Sequence, residues 1–439
     1  MKLEKLYSVK IPDGINLKET SQLCGDIGDQ PNQANFGAHI FLNSKFECQT
    51  MAGIGGSFSE LGGKALLSLD EKEQHEVAKN MFADKFNYFR LPVGSSDFGL
   101  DAYSLNDTEN DFEMDCFTLE RDEKVLIPYM NLAKKYSDNM KIHASPWSPP
   151  YWLKDNNAFG EGGSIIDEDK YYKAYAKYFL KLVKEYEKKG FDIERINVQN
   201  EPDVSPKYPS CIMPVTQMAK FIREYLVPLF KYEKIGTEIF AGTFRAINEA
   251  TACDFLTVDD DIQNHISGIG CQYHTMQPLN QINAKFPNLK IMHTESNCFH
   301  GENSWEQAIA LYMNIVNYIN AGCDVFTYWN MILNTNAEST WGWKQNSLVT
   351  IDEKSKKITY NPDYYIMALA SSCIKAKSKR IVYASRNKTG IAFKNEDGTV
   401  SFMLSNFTDK KEIGDVTLDG QKLDLELEPM TISSFKITL

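Results

Sequence analysis

The sequence predicts an α/β fold, a (β/α)8 TIM barrel with an attached all-β sandwich domain that is built from both termini. Between residues 51 and 370, short apolar segments alternate with amphipathic helical patterns, and there are eight such segments. This stretch is long enough for an eight-stranded barrel, which typically needs about 250 residues. Before residue 51 and after residue 370, short extended segments are separated by turn residues, which is typical of β-structure.

Eight segments of the central region have the length and composition of buried strands. They cover residues 51–58, 87–94, 141–148, 196–202, 237–244, 266–274, 290–296 and 325–333. Helical spacing of apolar residues fills most of the gaps, most clearly over 69–85, 170–189, 215–231 and 306–321. Strands and helices in alternation favour a parallel sheet. A doubly wound open sheet is the alternative, but no glycine-rich phosphate loop of the required form follows the first strand.

The two ends of the chain share an extended pattern. The N-terminal residues include short strands such as 39–42, and the C-terminal region alternates apolar and polar residues over 382–393, 400–404, 415–418 and 430–437. An Asn-Glu-Asp-Gly sequence at 395–398 predicts a hairpin turn. We therefore predict three parts: 1–50 and 371–439 as the two portions of one β-sandwich, and 51–370 as the barrel.

The charge of the chain excludes several classes of partner. A formal net charge of −12 would repel the phosphates of nucleic acid and an anionic membrane surface, whereas it suits a neutral substrate. No apolar run is long enough to insert into a membrane, and the first residues lack the apolar centre of a signal peptide. As written, the chain is expected to be cytoplasmic, or secreted if a signal peptide has been removed. Protein partners are not predicted.

The cysteines and histidines do not indicate a metal site. The nine cysteines are scattered and none is paired at CxxC spacing, so neither a zinc site nor a small disulfide framework is predicted. His274 and His293 lie near strand ends without other ligands at metal-binding spacing, and we interpret them as hydrogen-bonding neighbours of a site. No cofactor is predicted.

Two glutamates end predicted strands that are far apart in sequence. Glu201 follows the apolar segment 196–199 and precedes Pro202, which cannot continue a strand, and Glu295 ends the segment that begins at residue 290. A carboxylate at the end of an apolar strand is costly unless it has a role. Because active sites lie at the carboxyl ends of barrel strands, both groups are expected at one face. Two such carboxyls are the acid and the nucleophile of a retaining glycoside hydrolase.

Other strand ends carry side chains suited to binding a sugar. Arg90, inside the second strand, is either half of a structural ion pair or the group that sets the charge balance of the two carboxyls. Five of the six tryptophans follow strand three or strand eight, whereas core tryptophans would be spread more evenly. The predicted substrate-binding residues are Asp97, Trp147, Asn200, Gln272, Tyr273, His274, Trp329, Asn330, Trp341 and Trp343.

Six stretches of the barrel occur together in one known family. They are residues 49–60, 90–98, 144–154, 198–202, 294–295 and 328–333. In these stretches the chain resembles glycoside hydrolase family 30, which includes glucosylceramidases, β-xylosidases and β-1,6-glucanases. The resemblance implies a barrel with a β-sandwich from both termini, with Glu201 as acid/base and Glu295 as nucleophile. It also implies contacts to the −1 sugar from Asp97, Trp147, Asn200 and Trp329, and support of the carboxylates by Arg90.

The segment 338–347, Glu-Ser-Thr-Trp-Gly-Trp-Lys-Gln-Asn-Ser, is most similar to the β-1,6-glucanase branch. Gln272, in contrast, stands where many members have a histidine. The resemblance implies a retaining hydrolase of β-glucosidic linkages, with β-1,6-glucan or its oligosaccharides as the first choice of substrate. The alternatives are a β-glucosidase or β-xylosidase on short glycosides, or a glucosylceramidase. A non-catalytic carbohydrate-binding protein is the alternative of another class, and the presence of both glutamates argues against it.

Overall fold

The computed structural model describes residues 1–15, 37–137, 139–245, 251–273, 276–296 and 300–439. Its strands are β1 (Lys2–Lys10), β2 (His39–Thr50), β3 (Gly53–Ser57), β4 (Tyr88–Val93), β5 (Lys141–Pro146), β6 (Ile193–Asn197), β7 (Glu238–Phe244), β8 (Gly268–Gln272), β9 (Lys290–Glu295), β10 (Cys323–Asn330), β11 (Ile332–Asn334), β12 (Val349–Ile351), β13 (Ile358–Tyr360), β14 (Lys379–Ser385), β15 (Gly390–Lys394), β16 (Val400–Asn406), β17 (Glu412–Leu418), β18 (Gln421–Leu427) and β19 (Thr431–Thr438). Its α-helices are α1 (Glu60–Leu67), α2 (Glu71–Phe82), α3 (Leu126–Tyr136), α4 (Asp169–Lys188), α5 (Val215–Phe221), α6 (Val227–Glu233), α7 (Thr251–Leu256), α8 (Met276–Lys285), α9 (Trp305–Asn320) and α10 (Pro362–Cys373).

Strands β3 to β10 form a closed barrel in which neighbours in sequence are neighbours in space, and β10 closes the ring on β3. All the pairs in this ring are parallel. The predicted (β/α)8 barrel is therefore confirmed, and the open doubly wound sheet is excluded. Near-continuous burial of these strands agrees with their apolar composition, because helices cover the outside of the barrel and side chains fill the inside.

The fourth barrel strand is shorter than predicted. The expected strand was 196–202, whereas β6 covers Ile193–Asn197. The chain beyond β6 leaves regular strand geometry, and Glu201 has a positive φ of 43°. Backbone hydrogen bonds still tie this segment to both neighbouring strands, from Asn200 N to Pro146 O (2.8 Å) and from Glu201 N to Thr243 O (3.0 Å). The catalytic candidate is therefore held on a bend and not in a strand.

Three of the four clearest predicted helices appear as single helices, α2, α4 and α9. A capping box between Asp70 and Glu73 starts α2, and the Ser304 side chain caps α9. The fourth, predicted over 215–231, is divided into α5, a π-helical turn (Ile222–Leu226) and α6. Pro228 lies at the start of α6, and it has no N–H to continue the ladder of the preceding turns.

Apart from a small sheet of β11, β12 and β13, the remaining strands confirm a β-domain built from both termini. One eight-stranded sheet has the order β1-β19-β16-β15-β14-β2-β17-β18, so strands from the N-terminus lie among strands from the C-terminus. Apolar side chains from distant strands of this sheet form their own core, as expected for a sheet that folds over itself. Residues of its other face belong to the barrel's core, and α10 lies between the two. The domain boundaries at 50 and 370 remain a prediction.

Two details of the C-terminal strands differ from the expected pattern. The segment 382–393 contains two strands, β14 and β15, with a turn between them, and β18 was not predicted. The turn at 395–398 is confirmed, because it joins the antiparallel strands β15 and β16, with Gly398 at φ 82°. No helix in the described residues is long and apolar enough to cross a membrane.

Buried polar pairs fill the barrel below its mouth. Near the end where the strands begin, Arg195 forms a bidentate ion pair with Asp324, at 2.9 and 2.6 Å. In the middle, His143 lies between Asn197 and Thr327, with ring nitrogens 3.2 Å from each partner oxygen. These interactions pair the side chains of Arg195, Asp324 and His143 inside the barrel.

Candidate active site

Glu295, the last residue of β9, receives two donors at one carboxylate oxygen. Arg90 Nη1 lies 2.5 Å from Glu295 Oε2, and Gln272 Nε2 lies 3.0 Å from the same atom. All three side chains are buried. Within the described part of the chain, Glu295 Oε1 makes no hydrogen bond. One oxygen is therefore fixed by protein donors, and the other is available to a reacting atom.

Arg90 connects three barrel strands beneath the mouth. Its Nη2 donates to Asn200 Oδ1 at 2.6 Å, and its Nε donates to Ser145 Oγ at 2.9 Å. The guanidinium also lies 4.4 Å from the ring centroid of Trp147. A fully buried arginine needs a counter-charge, and the structure provides it at Glu295. Of the two interpretations of Arg90, its contacts favour the one in which it sets the charge balance of the site.

Asn200 is oriented by three donors. Arg90 Nη2, Thr243 Oγ1 and Gln272 Nε2 lie 2.6, 3.0 and 2.9 Å from Asn200 Oδ1. Gln272 Nε2 is also 2.8 Å from Thr243 Oγ1, which links β7 and β8 to the segment after β6. Since the carbonyl oxygen of Asn200 faces these donors, its amide nitrogen points away from them.

Glu201 is held by three different side chains. Tyr273 donates its hydroxyl to Glu201 Oε1 at 2.8 Å, and Tyr208 donates to Oε2 at 3.4 Å. Arg245 Nη1 is 3.8 Å from Oε2. Gln272 and Tyr273 are consecutive residues, yet one reaches Glu295 and the other reaches Glu201. The end of β8 therefore places both carboxyls at one cavity.

Burial dominates the electrostatics of the two glutamates. It raises the pKa of Glu201, and the Arg245 guanidinium and the Tyr273 hydroxyl oppose that rise. It also raises the pKa of Glu295, where Arg90 opposes the rise and the charge of Glu201 adds to it. Arg90 touches Glu295 directly, whereas Arg245 stays 3.8 Å from Glu201. The closer guanidinium therefore favours the charged form of Glu295 more directly than Arg245 favours that of Glu201.

Asp97 and Trp329 add unsatisfied polar groups to the same mouth. Burial, followed by the charges of Glu295 and Glu201, raises the pKa of Asp97 well above its usual range. Asp97 Oδ1 and Trp329 Nε1 are buried without a hydrogen-bond partner in the described residues. The rings of Trp147 and Trp329 are stacked 5.2 Å apart, both buried. An unpaired acceptor and an unpaired donor beside two carboxyls suit a ligand rich in hydroxyl groups.

The loop after β11 provides a further wall. The ring of Trp343 lies 4.9 Å from that of Tyr208, which itself contacts Glu201. Trp341 is half-buried and makes no ring contact within the described residues. Asn330 Nδ2 donates to Gln345 Oε1 at 2.9 Å and anchors this loop to the barrel. Trp343 thus borders the acid/base candidate, while Trp341 lies outside this cluster.

The structure places most of the predicted site residues around the two glutamates. Directly bonded to the carboxyls or to their partners are Arg90, Asn200, Gln272 and Tyr273, and the others that border them are Asp97, Trp147, Trp329 and Trp343. The predicted position His274 lies outside the described residues. His293 is buried and stacked on Phe326, with ring centroids 4.0 Å apart. No group of three or more His, Cys, Asp or Glu side chains that would suit a metal occurs in the described ranges.

Three residues of the site were not predicted from sequence. Thr243 and Arg245 lie at or just after the end of β7, the fifth barrel strand, from whose end no site residue was predicted. Reading that strand end like the others would have found both. Tyr208 lies in an irregular loop, and no pattern in the sequence marks it.

Comparison with known proteins agrees with this geometry. The Glycosyl hydrolase family 30 TIM-barrel domain matches residues 51–374. The chain therefore belongs to glycoside hydrolase family 30, and it is a glycoside hydrolase with a carbohydrate substrate. The resemblance that the sequence motifs predicted is confirmed.

Its relatives differ in what their names say they act on. The chain is 24% identical over 409 residues to lysosomal acid glucosylceramidase of Mus musculus, covering 86% of this chain and 79% of that protein. It is 26% identical over 419 residues to endo-1,6-β-D-glucanase neg1 of Aspergillus fumigatus, covering 85% and 82%. The solved structure of the endo-β-1,6-glucanase BT3312 superposes with a TM-score of 0.81 at 24% identity, covering 92% and 95%, and this likeness shows the fold alone.

Proposed function

We propose that the protein is a retaining β-glycosidase in which Glu295 is the nucleophile and Glu201 is the acid/base. The observation that carries the proposal is the unequal support of the two carboxyls. Arg90 and Gln272 both donate to Glu295 Oε2, which stabilises a carboxylate and leaves Oε1 for attack. Glu201 is held by hydroxyl groups and a more distant cation, which suits a group that gains and loses a proton.

In the first step, Glu295 Oε1 attacks the anomeric carbon of the sugar. The bond between that carbon and the glycosidic oxygen breaks, and Glu201 transfers its proton to the departing oxygen. The products are a free alcohol, a glycosyl ester on Glu295 and a carboxylate at Glu201. Arg90 stays bonded to Oε2 throughout, so it favours the charged nucleophile before attack and orients the ester afterwards.

In the second step, ionised Glu201 takes a proton from water, and the water oxygen attacks the anomeric carbon. The ester bond breaks, the sugar leaves and Glu295 is again a carboxylate. Two displacements at one carbon restore its original configuration. Double displacement requires the carboxyl groups to lie about 5–5.5 Å apart, against about 6.5–9.5 Å for a single displacement by water. That Gln272 and Tyr273 each reach one carboxyl supports the close arrangement.

The nucleophile side of the mouth suits the sugar ring that is attacked. Asp97 Oδ1 and Trp329 Nε1 are the buried, unpaired groups there, and they would bond to ring hydroxyls. Because its pKa is raised, Asp97 is able to donate as well as accept. The Asn200 amide nitrogen, turned away from Arg90, is a third donor. Together these groups suit a sugar ring that carries several hydroxyl groups.

The acid/base side of the mouth suits the leaving group. Tyr208 and Trp343 border Glu201, so the alcohol that leaves with the Glu201 proton departs along their rings. Aromatic faces stack on the apolar faces of sugars. A β-1,6 linkage adds a rotatable carbon between the rings, which lets the second sugar turn onto such a wall. We therefore place β-1,6-glucan and its oligosaccharides first among the substrates, in accord with the names of two relatives.

Product analysis on a panel of substrates tests this proposal. We expect gentiobiose and pustulan to be hydrolysed, and cellobiose, laminarin and aryl xylosides to react far more slowly. Release of ceramide from glucosylceramide would favour the other activity named among the relatives instead. Glu295→Gln is the control, because turnover that survives it does not come from this site. An inactive wild-type protein that still binds these sugars would indicate a non-catalytic carbohydrate-binding protein.

A further inference from the structure

Lys154 is a buried lysine whose hydrogen-bond partners are all backbone carbonyls. The residue is 1% exposed, and its Nζ donates to Phe159 O at 2.9 Å, to Gly162 O at 2.7 Å and to Ser210 O at 2.7 Å. An ammonium group has three N–H bonds, and all three are used. No carboxylate in the described residues forms an ion pair with it. Burying a charge that only carbonyls compensate is energetically costly, which indicates a role for this lysine in holding those carbonyls in place.

The three carbonyls belong to two different active-site loops. The first loop, residues 155–165, follows β5, and it contains Phe159 and Gly162. The second loop, residues 202–213, follows β6, and it contains Ser210. Direct bonds between the loops run from Ser210 N to Phe159 O (2.9 Å) and from Gly162 N to Ser210 Oγ (3.0 Å). The Lys154 ammonium therefore sits at the junction where the two loops are joined.

The loops also approach each other closely at Gly160. A Cβ atom added there would lie 2.2 Å from the backbone oxygen of Lys207, far closer than any real contact. The backbone nitrogen of Glu161 donates to Pro206 O at 2.6 Å. This spacing requires a glycine, so the two backbones are packed without room to adjust. Movement of the first loop would be transmitted to residues 206–210 of the second.

Tyr208 lies within this segment, residues 206–210 of the second loop. Its hydroxyl is 3.4 Å from Glu201 Oε2, and its ring packs on Trp343 at 4.9 Å. Pro206 and Ser210, two residues to either side, are both bonded to the first loop. The position of the leaving-group wall therefore depends on the junction at Lys154.

We propose that Lys154 is a positioning residue for leaving-group binding: its ammonium joins loops 155–165 and 202–213, and thereby holds Tyr208 against Glu201 and Trp343. This inference rests on the proposed function, in which those three residues serve the departing group. Burial lowers the pKa of Lys154 to about 8, so the ammonium form with its three donors still predominates at neutral pH. Lys154 itself touches none of the reacting atoms, and its effect passes through the second loop.

The test compares two substrates in Lys154→Met, a change that keeps side-chain length and removes the three donors. Gentiobiose places a sugar on the wall, whereas 2,4-dinitrophenyl β-glucoside has a leaving group that needs neither the wall nor much protonation. We expect kcat/KM for gentiobiose to fall at least tenfold more than kcat/KM for the aryl glucoside. Lys388→Met is the matched control, because Lys388 is also buried but pairs with Glu412 in the β-domain. In Lys388→Met, kcat/KM should fall by the same factor for gentiobiose and for the aryl glucoside.

A double variant separates positioning from general damage. In Lys154→Met the wall is already displaced, so adding Trp343→Ala should cost little further activity on gentiobiose. The inference would be overturned if Lys154→Met lowered kcat/KM equally for both substrates. It would also be overturned if the losses in kcat/KM were fully additive in the double variant. If Lys154→Met does not fold, Gly160→Ala gives the same test, because it forces the loops apart without touching the lysine.

The activity of the wild-type protein on these substrates distinguishes a failure of the proposed function from a failure of the role proposed for Lys154. If the wild type hydrolyses neither substrate, the proposed function fails. If it hydrolyses the aryl glucoside and a different disaccharide, the assignment of linkage fails, and the same ratio measured with that disaccharide still decides the role of Lys154.

Discussion

Replacing Arg90 with methionine tests whether this arginine keeps the nucleophile charged. The variant retains a long apolar side chain in the barrel but loses the bond to Glu295 and the bond to Asn200. Removing one partner of a buried ion pair typically costs about 3–5 kcal/mol. Glu295 can avoid that cost by binding a proton, because burial already raises its pKa to about 7. The loss should therefore appear mainly as a further rise in the pKa of Glu295.

The size of that rise follows from the same energy. At about 1.4 kcal/mol per pKa unit, a loss of about 3–5 kcal/mol corresponds to an upward shift of roughly two to three and a half units. A nucleophile must be ionised to attack, so the acidic limb of kcat/KM should move to higher pH in Arg90→Met. At neutral pH, activity should fall roughly a hundredfold to a thousandfold. The assay is the pH profile of kcat/KM for an activated aryl β-glucoside.

Arg195→Met is the control for this experiment. Arg195 is also buried in the barrel and paired with a carboxylate, but its partner Asp324 lies at the opposite end, away from the mouth. This variant should lose stability and keep the pH profile of the wild type. A profile in Arg90→Met that is lowered uniformly but not shifted would refute the electrostatic role and leave Arg90 as a structural residue.

The remaining predictions concern stability, catalytic roles, the wall and the two ends of the chain. Because burial raises the pKa of Glu295, the folded protein keeps the carboxyl proton of Glu295 to a higher pH than the unfolded chain does. The free energy of unfolding should therefore fall as pH rises from about 4 to the folded pKa, and thermal melts at a series of pH values measure this. Glu295→Gln should abolish turnover of every glycoside. Glu201→Gln should spare the first step on activated aryl glycosides, which burst kinetics would show. Equal losses of activity on an activated aryl glycoside in the two variants would contradict the assigned roles. Trp343→Ala should cost roughly tenfold to a hundredfold in kcat/KM on gentiobiose, more than Trp341→Ala does, and the reverse order would place the wall elsewhere. A chain of residues 51–374 should aggregate or lose its cooperative melt, because it exposes the face on which the β-domain packs; a soluble, active 51–374 would show that the ends are dispensable.

Sequence patterns predicted the parts of the site that belong to regular strands. Glu295 and Gln272 end short strands that are almost wholly buried, and barrel geometry brings such ends together. Asp97 and Trp329 were found by the same reasoning, because each lies at or just after a strand end. These residues could be predicted because the local strand pattern and the barrel architecture place them at the same end of the barrel.

The bend at Glu201 shows where that reasoning stops. Alternating residues continue through 196–200, so the pattern predicts a strand up to the glutamate, yet β6 ends at Asn197. The positive φ of Glu201 is set by backbone bonds to β5 and β7, which are contacts between segments that periodicity does not describe. Tyr208 likewise contacts Glu201 from an irregular loop that is hydrogen-bonded to the loop after β5, and such contacts between segments have no periodic pattern in the sequence.

Covalent labelling of Glu295 is the most direct test of the central claim, that this glutamate attacks the sugar and Glu201 assists. A 2-deoxy-2-fluoro β-glucoside with an activated leaving group should inactivate the protein by forming a stable glycosyl ester, because the fluorine slows the second step more than the first. Mass spectrometry of the digested protein should then find one added sugar, on the peptide that contains Glu295, and proton NMR of early product from an ordinary substrate should show the β-anomer. A label on another residue, or α-anomer as the first product, would contradict the mechanism.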